Sequence, residues 1–311
     1  MKCVLGIDTS NYTTSVALVD ASNGKVVLSL KKLLPIKKGE RGIRQSDAVF
    51  HHTVALPEMI SRAFDKCKCE LVAVAVSNKP CSKEGSYMPC FLAGVSVARS
   101  IAAALSLPLY KTTHQKGHIL ACLYSCRSLD TVNKDFICYH ISGGTTQALL
   151  VRPDESVIKA QVVAESLDLK AGQAVDRIGV KLGFDFPAGK YVDALACKSE
   201  KAFKKAASFK DENFSLSGME NLALKMIADG ENREDVAKFV IDYIANTLEK
   251  SAFALKEKYG VLPLFFAGGV MSNSIISKRL SESLNAYFSE PEYSSDNASG
   301  VAIYGYLKWR A

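Results

Sequence analysis

The sequence predicts an α/β protein made of two related domains, and three observations predict it. First, two stretches about half a chain apart carry one strand–turn–strand device. Residues 3–20 read Cys-Val-Leu-Gly-Ile-Asp-Thr-Ser-Asn-Tyr-Thr-Thr-Ser-Val-Ala-Leu-Val-Asp, and residues 136–151 read Phe-Ile-Cys-Tyr-His-Ile-Ser-Gly-Gly-Thr-Thr-Gln-Ala-Leu-Leu-Val. Second, each device leads into alternating strand-like and helix-like runs, the order of βαβ units. Third, a glycine turn, Gly268-Gly269, stands between an apolar strand and a helix start, an arrangement that suits a nucleotide.

The bulk numbers agree. The chain has 311 residues, enough for two domains, with 48% hydrophobic and 23% charged side chains. Its formal net charge of +7 permits an RNA partner without requiring one. No apolar run approaches the ~18 residues of a membrane span, and no signal peptide precedes the first strand. Nine cysteines, an odd number and none in a Cys-x-x-Cys pair, fit a reducing, cytoplasmic setting. Cys3, Cys138 and Cys197 read as plain core residues, and Cys67-x-Cys69 and Cys122-x3-Cys126 lack a zinc-finger context.

In chain order, residues 21–34 read as a third strand and 35–47 as an exposed basic loop. His51 to Asp65 has helical spacing, Leu71–Val76 is a buried strand, Phe91–Leu107 an Ala-rich helix and Leu109–Thr112 a short strand. His114–Ser125 reads as a helix. The second domain starts again at Phe136, with helices over 170–183 and 188–207, and a long amphipathic helix from Val236 to Tyr259 stopped by Gly260. Leu262–Ala267 is a strand, then a helix capped by Ser272 or Asn273 runs to about Phe288, and Ser299–Trp309 closes the chain. Residues 1–112 with the closing helix 299–311 form one expected domain and 113–298 the other.

The turn Ser142-Gly143-Gly144-Thr145-Thr146 offers small residues whose backbone N–H groups and hydroxyls suit a phosphate. An ordinary hairpin turn is the alternative. Asp8, Thr9 and Ser10 hold the equivalent place in the first device, so each domain would offer a phosphate loop to a cleft between them. His114-Gln-Lys-Gly-His118 sets two imidazoles four residues apart, on one helix face, where they can grip a metal ion. A third ligand must come from elsewhere. Asp296, in a polar turn before the last helix, is a candidate, with helix capping as its other reading.

Seven motifs in order then resemble the TsaD family, once called O-sialoglycoprotein endopeptidases: Gly6-Ile-Asp-Thr-Ser10, His114-x3-His118, Ser142-Gly-Gly-x-Thr-Gln147, Gly172-Gln-Ala-Val-Asp176, Phe214-Ser-Leu-Ser-Gly218, Ala267-Gly-Gly-Val-x-Ser-Asn273 and Ser295-Asp-Asn297. The resemblance covers nearly the whole chain. It implies the actin-like ATPase (ASKHA) fold, with two ribonuclease-H-like domains around a nucleotide cleft. It implies transfer of a threonylcarbamoyl group from an adenylate to the N6 of the adenosine next to the anticodon of transfer RNA. By position, His114, His118 and Asp296 would hold one divalent iron or zinc ion. Ser142, Gly143 and Gly144 would cradle the adenylate phosphate, and Asp176, Gly189, Asp193 and Asn273 would meet the nucleoside. An adenine nucleotide or acyl-adenylate, with magnesium, is the implied ligand. The implied partners are transfer RNA, a threonylcarbamoyl-adenylate synthase and TsaB- and TsaE-like proteins.

The chain departs from the family pattern around the substrate. Thr145 stands where the family has His, residues 78–90 replace a Gly-Pro-Gly turn, and Pro187-Ala188-Gly189-Lys190 replaces Pro-Gly-Gly-Pro. A diverged paralogue with an altered substrate is therefore expected. A non-catalytic actin-like nucleotide-binding scaffold is the alternative. A metallopeptidase is disfavoured because Gln115, not Glu, follows the first histidine.

Overall fold

A computed structural model describes residues 1–10, 12–35, 43–295 and 298–311, so most of the basic loop and Asp296 lie outside the described residues. The chain divides into two compact units. One comprises Met1–Leu129, Pro153–Lys159 and Ser295–Ala311, and the other Asp130–Arg152 and Ala160–Ser294.

The first unit begins with the expected hairpin. β1 (Lys2–Ser10) and β2 (Thr13–Asp20) pair antiparallel, and β3 (Val26–Leu33) adds to β2. Helix α1 (Gln45–Lys66) leads to β4 (Glu70–Lys79), α2 (Phe91–Ala104), β5 (Leu109–Thr113) and α3 (His114–Ser125). β4 and β5 join in parallel to complete the order β3-β2-β1-β4-β5. α1 starts six residues before the expected helix, because its first turn, Gln45-Ser46-Asp47, is polar and carries no apolar period. Asp47 suits the positive end of the helix there.

His52 of α1 is buried against the first hairpin. Its Nε2 donates to the carbonyl of Ser10 (2.9 Å), so its Nδ1 (2.7 Å from Thr14 Oγ1) accepts from that hydroxyl. Burial depresses its basicity, which keeps this neutral tautomer.

The closing helix, Ser299–Arg310, belongs to the first unit and packs through glycines. A Cβ on Gly6 of β1 would lie 2.5 Å from Ala302 N, and one on Gly300 would strike the carbonyl of Gly117 in α3. α3 therefore groups with the first unit, rather than opening the second as the division after residue 112 had it. Lys116 Nζ bonds Ser156 Oγ (2.6 Å) and Lys308 Nζ the carbonyl of Glu155 (3.1 Å), which ties residues 153–159 to the same unit.

The second unit repeats the pattern with β6 (Phe136–Ile141), β7 (Thr146–Asp154) and β8 (Val157–Glu165). Then come α4 (Ala171–Lys181), α5 (Gly189–Ala196), the small hairpin β9 (Ser208–Lys210) and β10 (Asn213–Ser215), α6 (Ser217–Ala228) and α7 (Arg233–Tyr259). β11 (Leu264–Ala267), α8 (Ser274–Leu284), β12 (Tyr287–Phe288) and α9 (Pro291–Ser294) follow. The sheet order β8-β7-β6-β11-β12 matches the first sheet strand for strand. Among the described residues no helix is long and apolar enough to cross a membrane.

Two expected helices are shorter than their sequences suggested. The helix read over 188–207 stops at Ala196. Beyond it, side chains of α7 hold the backbone: Asp242 accepts from Phe203 N (3.0 Å), Thr247 from Ala207 N (3.0 Å), and Asn246 donates to the carbonyls of Phe203 and Lys205. Those bonds satisfy groups that a helix would otherwise need. α8 ends at Leu284 because Asn285 turns left-handed (φ 50°), and Tyr287-Phe288 then pairs with Phe265 and Phe266 as an edge strand. Cys197 is exposed rather than core, whereas Cys3 and Cys138 are buried as expected.

Gly300→Ala tests the packing of the closing helix. The added methyl meets backbone, which cannot rotate away, so a loss of about 1–3 kcal/mol or more is expected from denaturant midpoints. An unchanged midpoint would contradict the close approach.

Candidate functional site

Both candidate sites are set by where strands end. In the second unit β6 ends at Ile141, and the turn Ser142–Thr145 closes on itself. Ser142 N donates to the carbonyl of Thr145 (2.7 Å), and Thr145 N donates to Ser142 Oγ (3.1 Å). No imidazole is needed at position 145 for this closure. α4 begins directly against the turn. Gly172 N donates to Ser142 O (3.2 Å), and a Cβ on Gly172 would lie 2.6 Å from Gly143 N. Lys170 caps nothing with its side chain. Instead the Thr146 hydroxyl accepts from Ala171 N (2.8 Å), serving one of the helix's unpaired amides. The N–H groups of Gly143 and Gly144 donate to nothing among the described residues. They stand beside a helix N-terminus, whose dipole favours an anion.

A third segment closes on the same strand end. Gly268, at the end of β11, has φ 101°, and a Cβ there would strike Ile141 O. Only glycine tolerates both conditions. The next turn, Gly269–Ser272, leads to Asn273, whose Oδ1 caps α8 by accepting from Ile275 N (3.1 Å) and Ile276 N (3.0 Å).

These segments border a cavity of about 590 Å³, a size suited to a small organic ligand. Ser142, Gly143, Asp176, Gly189, Asp193 and Asn273 all line it, whereas Gly144 sits just outside the lining. The spacing explains the convergence: Gly172 and Asp176 lie one turn apart on α4, and Gly189 and Asp193 one turn apart on α5. Asp176 accepts from Ala188 N (2.8 Å), and Asp193 accepts from Ser274 Oγ (3.0 Å). Burial pushes the Asp176 carboxyl up, against the pull of the Ala188 and Gly189 amides.

The cavity also has members that the motif reading had not singled out. Tyr191 stacks on Phe184 (centroids 5.3 Å, planes 10° apart) and lines the space with Lys190, Phe186 and Val270. The signal of Phe186, Lys190 and Tyr191 was present in the short run Asp185–Tyr191, where two aromatics and a lysine flank Pro187 and Gly189. Carboxylates here suit sugar hydroxyls, the glycine amides suit a phosphate, and the aromatic and aliphatic wall suits a flat base.

In the first unit α3 starts with the Thr113 hydroxyl accepting from Lys116 N (3.1 Å). That start projects His114 and His118 from one face. Their Nε2 atoms face each other at 3.0 Å, with ring planes 80° apart. His114 Nδ1 lies 3.0 Å from Oδ1 of Asp8, which is fully buried and also accepts from the Ser77 hydroxyl. Asp8, Thr9 and Ser10 are therefore part of β1, paired with Ser15, Thr14 and Thr13, and not an open turn. Their ladder uses backbone groups that a phosphate loop would present, and Thr9 Oγ1 already accepts from Gly94 N (3.2 Å).

The pair fits an iron or zinc ion. Two ring nitrogens converge, and a buried carboxylate on the far nitrogen of His114 fixes the tautomer that leaves Nε2 as the donor atom. Asp8 thus stands behind His114. Asp296, expected as the third ligand, lies outside the described residues.

The sequence model of one family, described as TsaD, tRNA N6-adenosine threonylcarbamoyltransferase, matches residues 23–303. Curated relatives with that name include a protein of Thermosipho africanus (strain TCF52B), 30% identical over 99% of this chain and 94% of its own length. Another, of Carboxydothermus hydrogenoformans, is 30% identical over 99% of this chain and 92% of its own. Among solved structures, HypF of T. kodakarensis aligns with TM-score 0.66 at 14% identity, over 99% of this chain and 48% of that one. A ROK hexokinase of Thermus thermophilus aligns with TM-score 0.55 at 12% identity over 99% of both. At these identities the likeness concerns the fold, which is that of the actin-like ATPases expected from the motifs.

Asp8→Asn keeps the shape of the side chain but removes the charge behind His114. Iron or zinc affinity, measured by competition with a chromogenic chelator, should fall about 10–100-fold. Unchanged affinity in a folded variant would show that Asp8 does not orient the ligand.

Proposed function

The chain belongs to the TsaD family of tRNA N6-adenosine threonylcarbamoyltransferases, and from that premise we propose that it transfers a threonylcarbamoyl group, or a related carbamoyl group, from an acyl-adenylate to the N6 of a transfer-RNA adenosine. The observation that carries the reading is the turn at the end of β6, with its two undirected amides beside the start of α4. Those amides receive the adenylate phosphate. Asp176 and Asp193 accept from the ribose hydroxyls, and Tyr191 and Val270 flank the base.

The donor is a mixed anhydride and already activated, so no side-chain nucleophile is required. The N6 amine forms the new N–C bond, the C–O bond to the phosphate breaks, AMP leaves and one N6 proton is released. Positioning and charge stabilisation carry most of such a rate. As AMP departs, the Gly143 and Gly144 amides meet the charge that develops on its phosphate. His114 and His118 would hold the iron or zinc ion, with Asp8 behind His114. When bound, the ion supplies a Lewis acid for carbamoyl oxygens. Transfer RNA is the proposed acceptor, and the synthase that makes the adenylate and TsaB- and TsaE-like proteins are the proposed partners.

Thr145 stands outside the cavity lining and leaves the turn closed, since its backbone makes both closing bonds. Its smaller side chain favours a changed acceptor or donor over a lost activity.

Complementation tests the reading. In a strain depleted of its own enzyme of this family, the chain should restore threonylcarbamoyl-adenosine in total transfer RNA, read by nucleoside mass spectrometry. Asp176→Ala should lower that product about tenfold or more, the effect of losing roughly 1.4 kcal/mol of binding. A well-folded, well-expressed chain that restores none would overturn transfer to transfer RNA.

A further inference from the structure

Three cysteines that the sequence left as unremarkable meet at one place in the first unit. The Sγ atoms of Cys3, Cys67 and Cys69 all lie within 4.8 Å of one another, and all three thiols are free. The topology explains the meeting. Cys3 pairs with Leu71 across the parallel β1–β4 ladder, and Cys69 lies two residues before Leu71, so both thiols belong to the same face of the sheet. α1 ends at Lys66, and Cys67 is extended (φ −129°, ψ 99°). Two-residue alternation then turns Cys67 and Cys69 inward, while Lys68 between them is exposed. The β1–β4 register shifts just after Cys3, an irregularity of the kind that re-aims side chains.

We propose that Cys3, Cys67 and Cys69 form a thiolate site for one soft d10 cation, of the zinc or copper(I) class, separate from the histidine pair. Three sulfurs around an ion at about 2.3 Å stand roughly 4 Å apart, close to the spacing present here. The donor set holds sulfur alone, which selects such ions over magnesium or calcium. Cys3 is fully buried while Cys67 and Cys69 are half-buried, so the ion has a protein floor and a solvent-side entry that leaves room for a fourth ligand. On binding, each thiol loses its proton to solvent as its sulfur–metal bond forms, and no redox change occurs.

Cobalt(II) is the probe, added to reduced, chelator-stripped full-length protein. One equivalent should raise a thiolate-to-cobalt charge-transfer band. The band should be weakened and the affinity lowered at least tenfold in Cys67→Ser and in Cys69→Ser, and both should stay unchanged in Cys197→Ser. His118→Ala should leave the band in place, which separates this site from the histidine pair. Zinc(II) should displace cobalt(II) and slow alkylation of Cys67 and Cys69 by iodoacetamide. Absence of the band in wild type, an unchanged band in Cys67→Ser, or alkylation unaffected by zinc would overturn the proposal. Rapid formation of a disulfide among the three in the presence of zinc would do so too.

Discussion

The candidate nucleotide site depends on close backbone approach at the end of one strand. Gly172 brings the first turn of α4 onto Gly143, and Gly268 brings the end of β11 onto the carbonyl of Ile141. At each place a single methyl group would collide with backbone. The approach directs a helix N-terminus, a two-glycine turn and the following α8 cap toward one cavity. Packing of the second unit supports it from behind, since α7 is buried over most of its length and β6 is buried throughout. The sheet itself only has to stop in the right place.

Much of this was legible because it rests on local rules. The repeated hairpin, the βαβ order and the glycine turns are short-range patterns, and the two matching sheet orders follow from them. Elements whose form is decided by partners far away in the chain were not legible. Residues 201–207 look helical by composition, yet Asp242, Asn246 and Thr247, about 40 positions on, hold their backbone in another form. α1 begins where the charge of Asp47 in its first turn, not apolar period, favours it. The cysteine cluster was hidden for the same reason, since Cys3 and Cys69 become neighbours only through a parallel ladder.

The candidate site divides in the same way. Asp176, Gly189 and Asp193 were named through the family resemblance alone, and the structure gathers them around one cavity because each aspartate lies one helical turn from a glycine at the start of its helix. Asp8, expected in a phosphate loop, lies in a strand that runs on to Ser10, and its side chain turns to His114 and Ser77. A fully buried carboxylate is costly unless donors surround it, and here the Ser77 hydroxyl and His114 provide them. That cost is a physical reason for His114 to hold one tautomer, and it makes the histidine pair an asymmetric one.

The account's central claim is that the two glycine amides after β6 receive the phosphate of an adenylate. A crystal structure of the chain with AMP, or with a non-hydrolysable acyl-adenylate, tests it most directly. The phosphate should lie within hydrogen-bond distance of Gly143 N and Gly144 N, with ribose hydroxyls on Asp176 or Asp193. Nucleotide bound elsewhere while this cavity stays empty would contradict the account.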